Sequence, residues 1–235
     1  MVKYERVLLK ITGEAMRSDG RLFDKDPIDF VTDEIRSAAH ETQLAVVIGG
    51  GNIVRGSDLI KRFRTKKLAA DNIGMLSTVM NAILLQDQLE QKGVETRVMS
   101  SIEVNKVAEP YIPRRAIRHL EKGRVVILAA GTGNSGVTTD TAALLRASDL
   151  ETEIVLKGTK VDGVYDKDPI AHKDAEFFAQ ISYQQFLEKG IDKILDVTAV
   201  AQAKQDKMPI IVFNIFEKGN LLRVLQGEPV GSKIS

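Results

Sequence analysis

Six short apolar runs punctuate the chain, and most of them empty into glycine or a polar residue. They are residues 6–11 (RVLLKI), 44–48 (LAVVI), 96–100 (TRVMS), 125–130 (VVILAA), 153–157 (EIVLK) and 210–213 (IIVF). Between them lie stretches with helical spacing. In 29–41 the apolar positions are Phe30, Val31, Ile35, Ala38 and Ala39. In 71–91 they are Ile73, Leu76, Met80, Ile83 and Leu84, widened by Val79, Leu85 and Leu89. Shorter helices are predicted over 116–122 and 183–189, within 191–205, and over 221–225, while 14–27 reads as a loop. Continuous apolar runs suit strands covered on both faces. The alternation therefore predicts an α/β fold, a mainly parallel sheet sandwiched between helix layers. No repeat, low-complexity segment or linker interrupts it, so residues 1–235 read as one domain.

Composition narrows the function classes. Charge is nearly balanced, 33 Lys+Arg against 32 Asp+Glu, so bulk electrostatics gives no support for nucleic acid or membrane as partner. Cysteine is absent, which removes disulfides, thiol catalysis and thiolate metal sites. The N-terminus MVKYERVLLK has no signal-peptide apolar region, and no uninterrupted apolar run approaches the ~20 residues of a membrane span. A soluble, cytoplasmic protein is expected. His40, His119 and His172 are scattered without metal-ligand spacing, and no nucleophile elbow occurs.

The chemistry gathers where strands end. After 125–130 comes Gly131-Thr132-Gly133-Asn134-Ser135-Gly136, then Thr138, Thr139 and Asp140 at a helix start. Small residues let backbone approach an anion, and the N–H groups of a first helical turn point at it. Gly131, Gly133 and Gly136 also satisfy the dinucleotide pattern G-x-G-x-x-G. However, the next strand ends in Lys157 rather than the acid that would hold a ribose. After 44–48 comes Gly49-Gly50-Gly51-Asn52, with Arg55 following, and three consecutive glycines are costly for a mere turn. They read as a close approach to a ligand. The basic run 61–67 reads as a solvated face. No Walker-type loop is present. What remains is glycine loops with Lys10, Arg55 and Lys157 at strand ends, a set suited to phosphoryl transfer by positioning and charge stabilisation.

Longer motifs then become legible: LLKITGEAM, VVIGGGNIVRG, ADNIGMLSTVMNA, RVVILAAGTGN with TTDTAA, VLKGTKVDGVYDKDP, KILDVTAVAQAK and MPIIVFN. In this order, nearly end to end, they resemble the bacterial uridylate (UMP) kinases of the amino acid kinase family. The resemblance implies that family's three-layer fold, usually assembled as a homohexamer. It implies transfer of the ATP γ-phosphoryl to UMP, giving UDP and ADP, with Mg²⁺ carried on the nucleotide phosphates and no metal ligand in the protein. By resemblance, ATP contacts fall on Lys10, Ile11, Thr12, Gly13, Gly51 and Arg55, with Thr159, Tyr165 and Asp168 near the adenosine. UMP contacts fall on Gly50, Asp71, Thr132, Gly133, Asn134, Ser135, Gly136, Val137, Thr138 and Thr139. Lys10 and Arg55 would neutralise the transferring charge, and Asp196 would orient a catalytic lysine. The N-terminal part would mainly form the acceptor side and the C-terminal part the ATP side.

One departure stands out: Ser135-Gly136-Val137 occupies the place where the family usually has Pro-Phe-Phe, so two rings are missing from the acceptor loop. Alternatives are another phosphotransferase of the family acting on an amino acid, a carbamate or an isoprenoid phosphate, a nicotinamide oxidoreductase, and a nucleotide-binding regulatory protein.

Overall fold

The computed structural model describes residues 2–18, 20–191 and 194–235. The chain starts with β1 (Arg6–Ile11), a 3-10 turn (Gly13–Met16), α1 (Lys25–Ala39) and β2 (Gln43–Ile48). Then come α2 (Gly56–Phe63), α3 (Lys67–Gln91), β3 (Thr96–Ser100), β4 (Glu109–Pro110), α4 (Pro113–Glu121) and β5 (Val125–Ala129). The second half holds α5 (Thr139–Asp149), β6 (Ile154–Thr159), β7 (Val164–Tyr165), β8 (Phe177–Phe178), β9 (Gln180–Ile181) and α6 (Tyr183–Glu188). It finishes with α7 (Val197–Asp206), β10 (Ile210–Asn214), α8 (Asn220–Leu225) and β11 (Ser232–Ile234).

Nine strands form one sheet in the order β4-β3-β5-β2-β1-β6-β10-β11-β9. Every pairing in it is parallel except β10 with β11. The central strands are buried on both faces, which is why they read as unbroken apolar runs. Alternation along β1 sends Val7, Leu9 and Ile11 into a core shared with α1, α3 and α8. Leu8 joins Val126, Leu128 and Val155 in a second core beneath α4, α5, α6 and α7. The predicted sheet between two helix layers is present.

Differences from the sequence reading have local causes. Helix α1 begins at Lys25, inside the expected loop, because Pro27 sits in its first turn, where a missing N–H costs nothing. Helix α4 likewise begins at Pro113. Helix α2 spans only eight residues, overlaps the basic run read as a solvated face, and buries none of its residues. Strands β4, β7, β8, β9 and β11 span two or three residues each, too short for any period.

Helix α3 alone among the described residues has the length and apolar character to cross a membrane. One side buries Val79, Ala82, Leu85 and Leu89 in the core. The other leaves Ile73, Leu76, Met80 and Ile83 exposed, and this second stripe raises its hydropathy.

Candidate functional site

Parallel pairing places Lys10 of β1 directly beside Lys157 of β6, near the carboxyl ends of both strands. Alternation turns both side chains to the α5 side, because Lys10 follows Leu8 and Lys157 follows Val155 at two-residue spacing. Two buried ammonium groups cannot sit side by side without a counter-charge. Asp140 supplies it from the first turn of α5, where a carboxylate also favours the helix dipole. Lys157 Nζ donates a short hydrogen bond to Asp140 Oδ2. Lys10 Nζ lies 2.6 Å from the other oxygen, Oδ1. Asp140 is thus shared by both ammonium groups, and Lys10 also lines the cleft, where its remaining N–H donors are available.

Burial acts to raise the Asp140 carboxyl, and the Lys10 and Lys157 charges outweigh it, leaving the group below the usual carboxylate range. Burial pushes the Lys157 ammonium down to about 8, helped by the Lys10 charge and opposed by Asp140. An unfolded lysine titrates near ~10.4, so between these values the folded chain binds fewer protons than the unfolded one. The cost of burying this ammonium is therefore carried in full below about pH 8 and relieved as pH rises toward ~10. Urea titrations should show the stability of the wild type rising, relative to a Lys157→Met variant, across that window. A pH-independent difference would contradict the assignment.

The cleft beside Lys10 has a volume of about 500 Å³. Thr12, Gly50, Gly51, Arg55, Asp71, Thr132, Asn134, Val137, Thr138 and Thr139 all line it. Residues expected on the ATP side and on the UMP side thus meet in one space. Arg55 immediately precedes α2 and pairs with Glu14 of the 3-10 turn, which tethers its half-exposed guanidinium at the cleft mouth. Glu14 was not anticipated from sequence.

A second cavity, of about 330 Å³, is lined by Tyr165 and Asp168 with Val161, Gly163 and Ile191. Tyr165 packs edge-on against Phe177, with ring centroids 5.3 Å apart. Thr159 does not line this cavity. Its hydroxyl is buried, donating to the Val161 carbonyl at 2.7 Å and accepting from the Val161 N–H at 3.2 Å.

Other expected residues stand behind the cleft. The Ile11 side chain is in the core, and Gly13 is buried against Gly49 and the Asn52 amide. Asn81 of α3 donates to the Gly49 carbonyl at 2.7 Å and to Asn52 Oδ1 at 2.7 Å, so a buried amide pair pins the glycine turn. The polar Asn81 inside an apolar helix was the available signal. A Cβ on Gly50 would come within 2.8 Å of Ser77 Cβ and 3.0 Å of the Gly74 carbonyl oxygen. Helix packing therefore accounts for Gly50, while a Cβ on Gly51 would meet only Arg55 Nε, at 3.9 Å, so Gly51 retains the reading of close ligand approach.

Ser135 and Gly136 do not line the cleft wall. The Ser135 hydroxyl donates to Asp71 Oδ2 at 2.5 Å, and the Gly136 N–H donates to the same oxygen at 2.8 Å. Asp71 thus fastens the loop in which the two rings are missing.

Among the described residues no lysine hydrogen-bonds Asp196. It caps α7 by accepting from the Ala199 N–H at 2.9 Å. Its carboxylate also accepts from the hydroxyls of Thr138 and Thr141, tying the start of α7 to the start of α5. With its oxygens engaged there, it reaches Lys157 only through space, its charge favouring the ammonium. The carboxylate that stands between the two lysines is Asp140. Sequence reading placed Asp140 at a helix start but could not see it between two lysines, because that requires β1 to pair with β6.

The sequence profile of the amino acid kinase family matches residues 5–214. Among solved structures, the UMP kinase of Bacillus anthracis is 36% identical, covering 99% of this chain and 96% of its own, with a TM-score of 0.94. The UMP kinase of Ureaplasma parvum is 32% identical over 99% of both chains, with a TM-score of 0.91. The uridylate kinase of Archaeoglobus fulgidus is 26% identical over 98% of this chain and 100% of its own, with a TM-score of 0.74.

Proposed function

The chain belongs to the amino acid kinase family, and on that premise we propose that it is a UMP kinase, transferring the γ-phosphoryl of ATP to UMP to give ADP and UDP. One observation carries the reading: the Lys10 ammonium, anchored by Asp140 at 2.6 Å, lines the cleft that both sets of expected nucleotide residues share.

An oxygen of the UMP phosphate attacks the γ-phosphorus, and the bond to the β–γ bridging oxygen breaks, leaving ADP. A phosphomonoester has its second pKa near ~6, so at neutral pH the acceptor is already mostly dianionic and needs no protein base. Positioning and charge neutralisation then suffice. Lys10 stabilises charge on the transferring group, and Arg55 adds a second cation from the cleft mouth. Thr12 and Gly51 meet the ATP phosphates, while Tyr165 and Asp168 hold the adenosine end. Ile11, Gly13 and Thr159 support that side from within. Gly50, Asp71 and residues 132–139 form the acceptor side.

The donor set bears on the metal. Among the described residues no three His, Asp or Glu side chains converge, and Asp140 is engaged by two lysines. This fits Mg²⁺ arriving on the nucleotide phosphates, where it would offset their charge. The exposed α3 stripe of Ile73, Leu76, Met80 and Ile83 fits an interface of a homo-oligomer, for which we propose the homohexamer. Residues 1–235 would act as one catalytic domain in the cytoplasm.

Coupled ADP release, measured across UMP, CMP, dCMP and a set of amino acids, tests this reading. The expected result is a clear preference for UMP, and a preference for CMP or an amino acid would overturn it. Asp71 gives a second test. Only its Oδ2 is engaged by the loop, leaving Oδ1 for a ribose hydroxyl. Asp71→Asn should raise KM for UMP by roughly tenfold, the scale of one charge-assisted hydrogen bond, with a much smaller change for ATP. Equal changes for both nucleotides would indicate a structural role.

A further inference from the structure

The acceptor turn is braced from behind by a buried guanidinium. Arg146 lies on α5 and its side chain is 12% exposed. Its Nη2 donates to the Gly131 carbonyl at 3.2 Å and to Ser101 Oγ at 2.9 Å. The Ser101 hydroxyl donates to the same Gly131 carbonyl at 2.8 Å. Arg146 is itself held on two sides. Its Nη1 donates to Asp149 Oδ2 at 2.8 Å, and the Tyr111 ring lies against the guanidinium at 4.0 Å. The Tyr111 hydroxyl donates to the same Asp149 oxygen at 3.0 Å, closing the frame.

The carbonyl being clamped belongs to an unusual piece of backbone. Ala130 and Gly131 are consecutive residues in the left-handed region, at φ 61° and 57°. A non-glycine residue there is strained and persists only where surrounding contacts fix it. The Ala130 N–H is fixed from the other side by Thr78 Oγ1 at 2.7 Å. Across a trans peptide, C=O and N–H point in opposite directions. Holding the Gly131 carbonyl toward Ser101 and Arg146 therefore turns the Thr132 N–H the opposite way. Thr132 lines the cleft, and its N–H has no protein partner among the described residues. The Arg146 Nε is buried and unpartnered, a cost for any guanidinium serving stability alone.

We propose that Arg146 is a positioning residue: with Ser101 it fixes the 131–132 peptide so that the Thr132 N–H donates to an oxygen of the acceptor nucleotide. This rests on the reading of the cleft as the UMP site.

The test is calorimetric binding of UMP and of ATP, each alone, to the wild type and to Arg146→Ala. UMP affinity should fall by roughly tenfold, the scale of one oriented hydrogen bond, while ATP affinity stays within about twofold. Millimolar guanidinium chloride, filling the vacated space, should recover part of the UMP affinity without altering that for ATP. Unchanged UMP affinity, or equal loss for both nucleotides without guanidinium rescue, overturns the positioning role. If Arg146→Ala does not fold, Ser101→Ala carries the test, with a smaller loss confined to UMP as the expected result and no loss as the contrary one. A wild type that binds ATP but no UMP refutes the reading of the cleft itself, which these variants would not do.

Discussion

Lys10→Ala lowers kcat by on the order of 10²–10³, the loss that follows removal of one preorganised donor at a developing charge. The size of this expectation comes from where the ammonium sits. Lys10 is 8% exposed, at the end of a strand buried on both faces, and is fixed by a carboxylate 2.6 Å away. Its geometry is set before substrate arrives, so little reorganisation is needed when charge builds on the transferring group. KM for either nucleotide should move far less than kcat, because the interaction strengthens mainly in the transition state. A folded Lys10→Ala enzyme with near-wild-type turnover would remove Lys10 from the mechanism.

Asp140→Asn has the largest expected effect on stability. It leaves the Lys10 and Lys157 ammonium groups adjacent and without their shared counter-charge, both with side chains about one-tenth exposed. Breaking a buried ion pair on one side costs about 3–5 kcal/mol, a large share of the roughly 5–15 kcal/mol that holds a domain together. Lys157 should answer for much of this. Combining Asp140→Asn with Lys157→Met removes one of the two like charges, so the double variant should be more stable than Asp140→Asn alone. Urea unfolding of the four proteins in the cycle measures this coupling. Additive losses would mean that Asp140 does not mediate between the lysines.

Much of the fold was readable from sequence for one physical reason. The inner strands are covered on both faces, so residues 6–11, 44–48, 96–100 and 125–130 appear as apolar runs with ends within one residue of the observed strands. The edge strands β4 and β9, and β11 next to β9, lack that signal because each spans only two or three residues near a sheet margin. Site residues divide along the same line. Thr138 at the start of α5 is a local feature, and helix-start chemistry located it. What Asp196 touches depends instead on contacts between distant segments, here the hydroxyls of Thr138 and Thr141.

Asp140 between two lysines, Asp71 on Ser135 and Gly136, and Arg146 behind Gly131 are all long-range pairings. They follow from strand order and helix packing, which no local pattern encodes. The loop 135–137 shows the consequence most clearly. Two rings are missing there, yet the Ser135 hydroxyl and the Gly136 N–H both bind Asp71 directly.

The central claim is that this cleft joins a phosphate of ATP to the phosphate of UMP. Phosphorus NMR of the wild type with Mg²⁺, ATP and UMP follows both substrates and every product in one sample. The ATP γ signal and the UMP signal should fall together, while the β signals of ADP and UDP rise in equal amounts. Release of inorganic phosphate without UDP, or an unchanged UMP signal as ATP is consumed, would contradict the account.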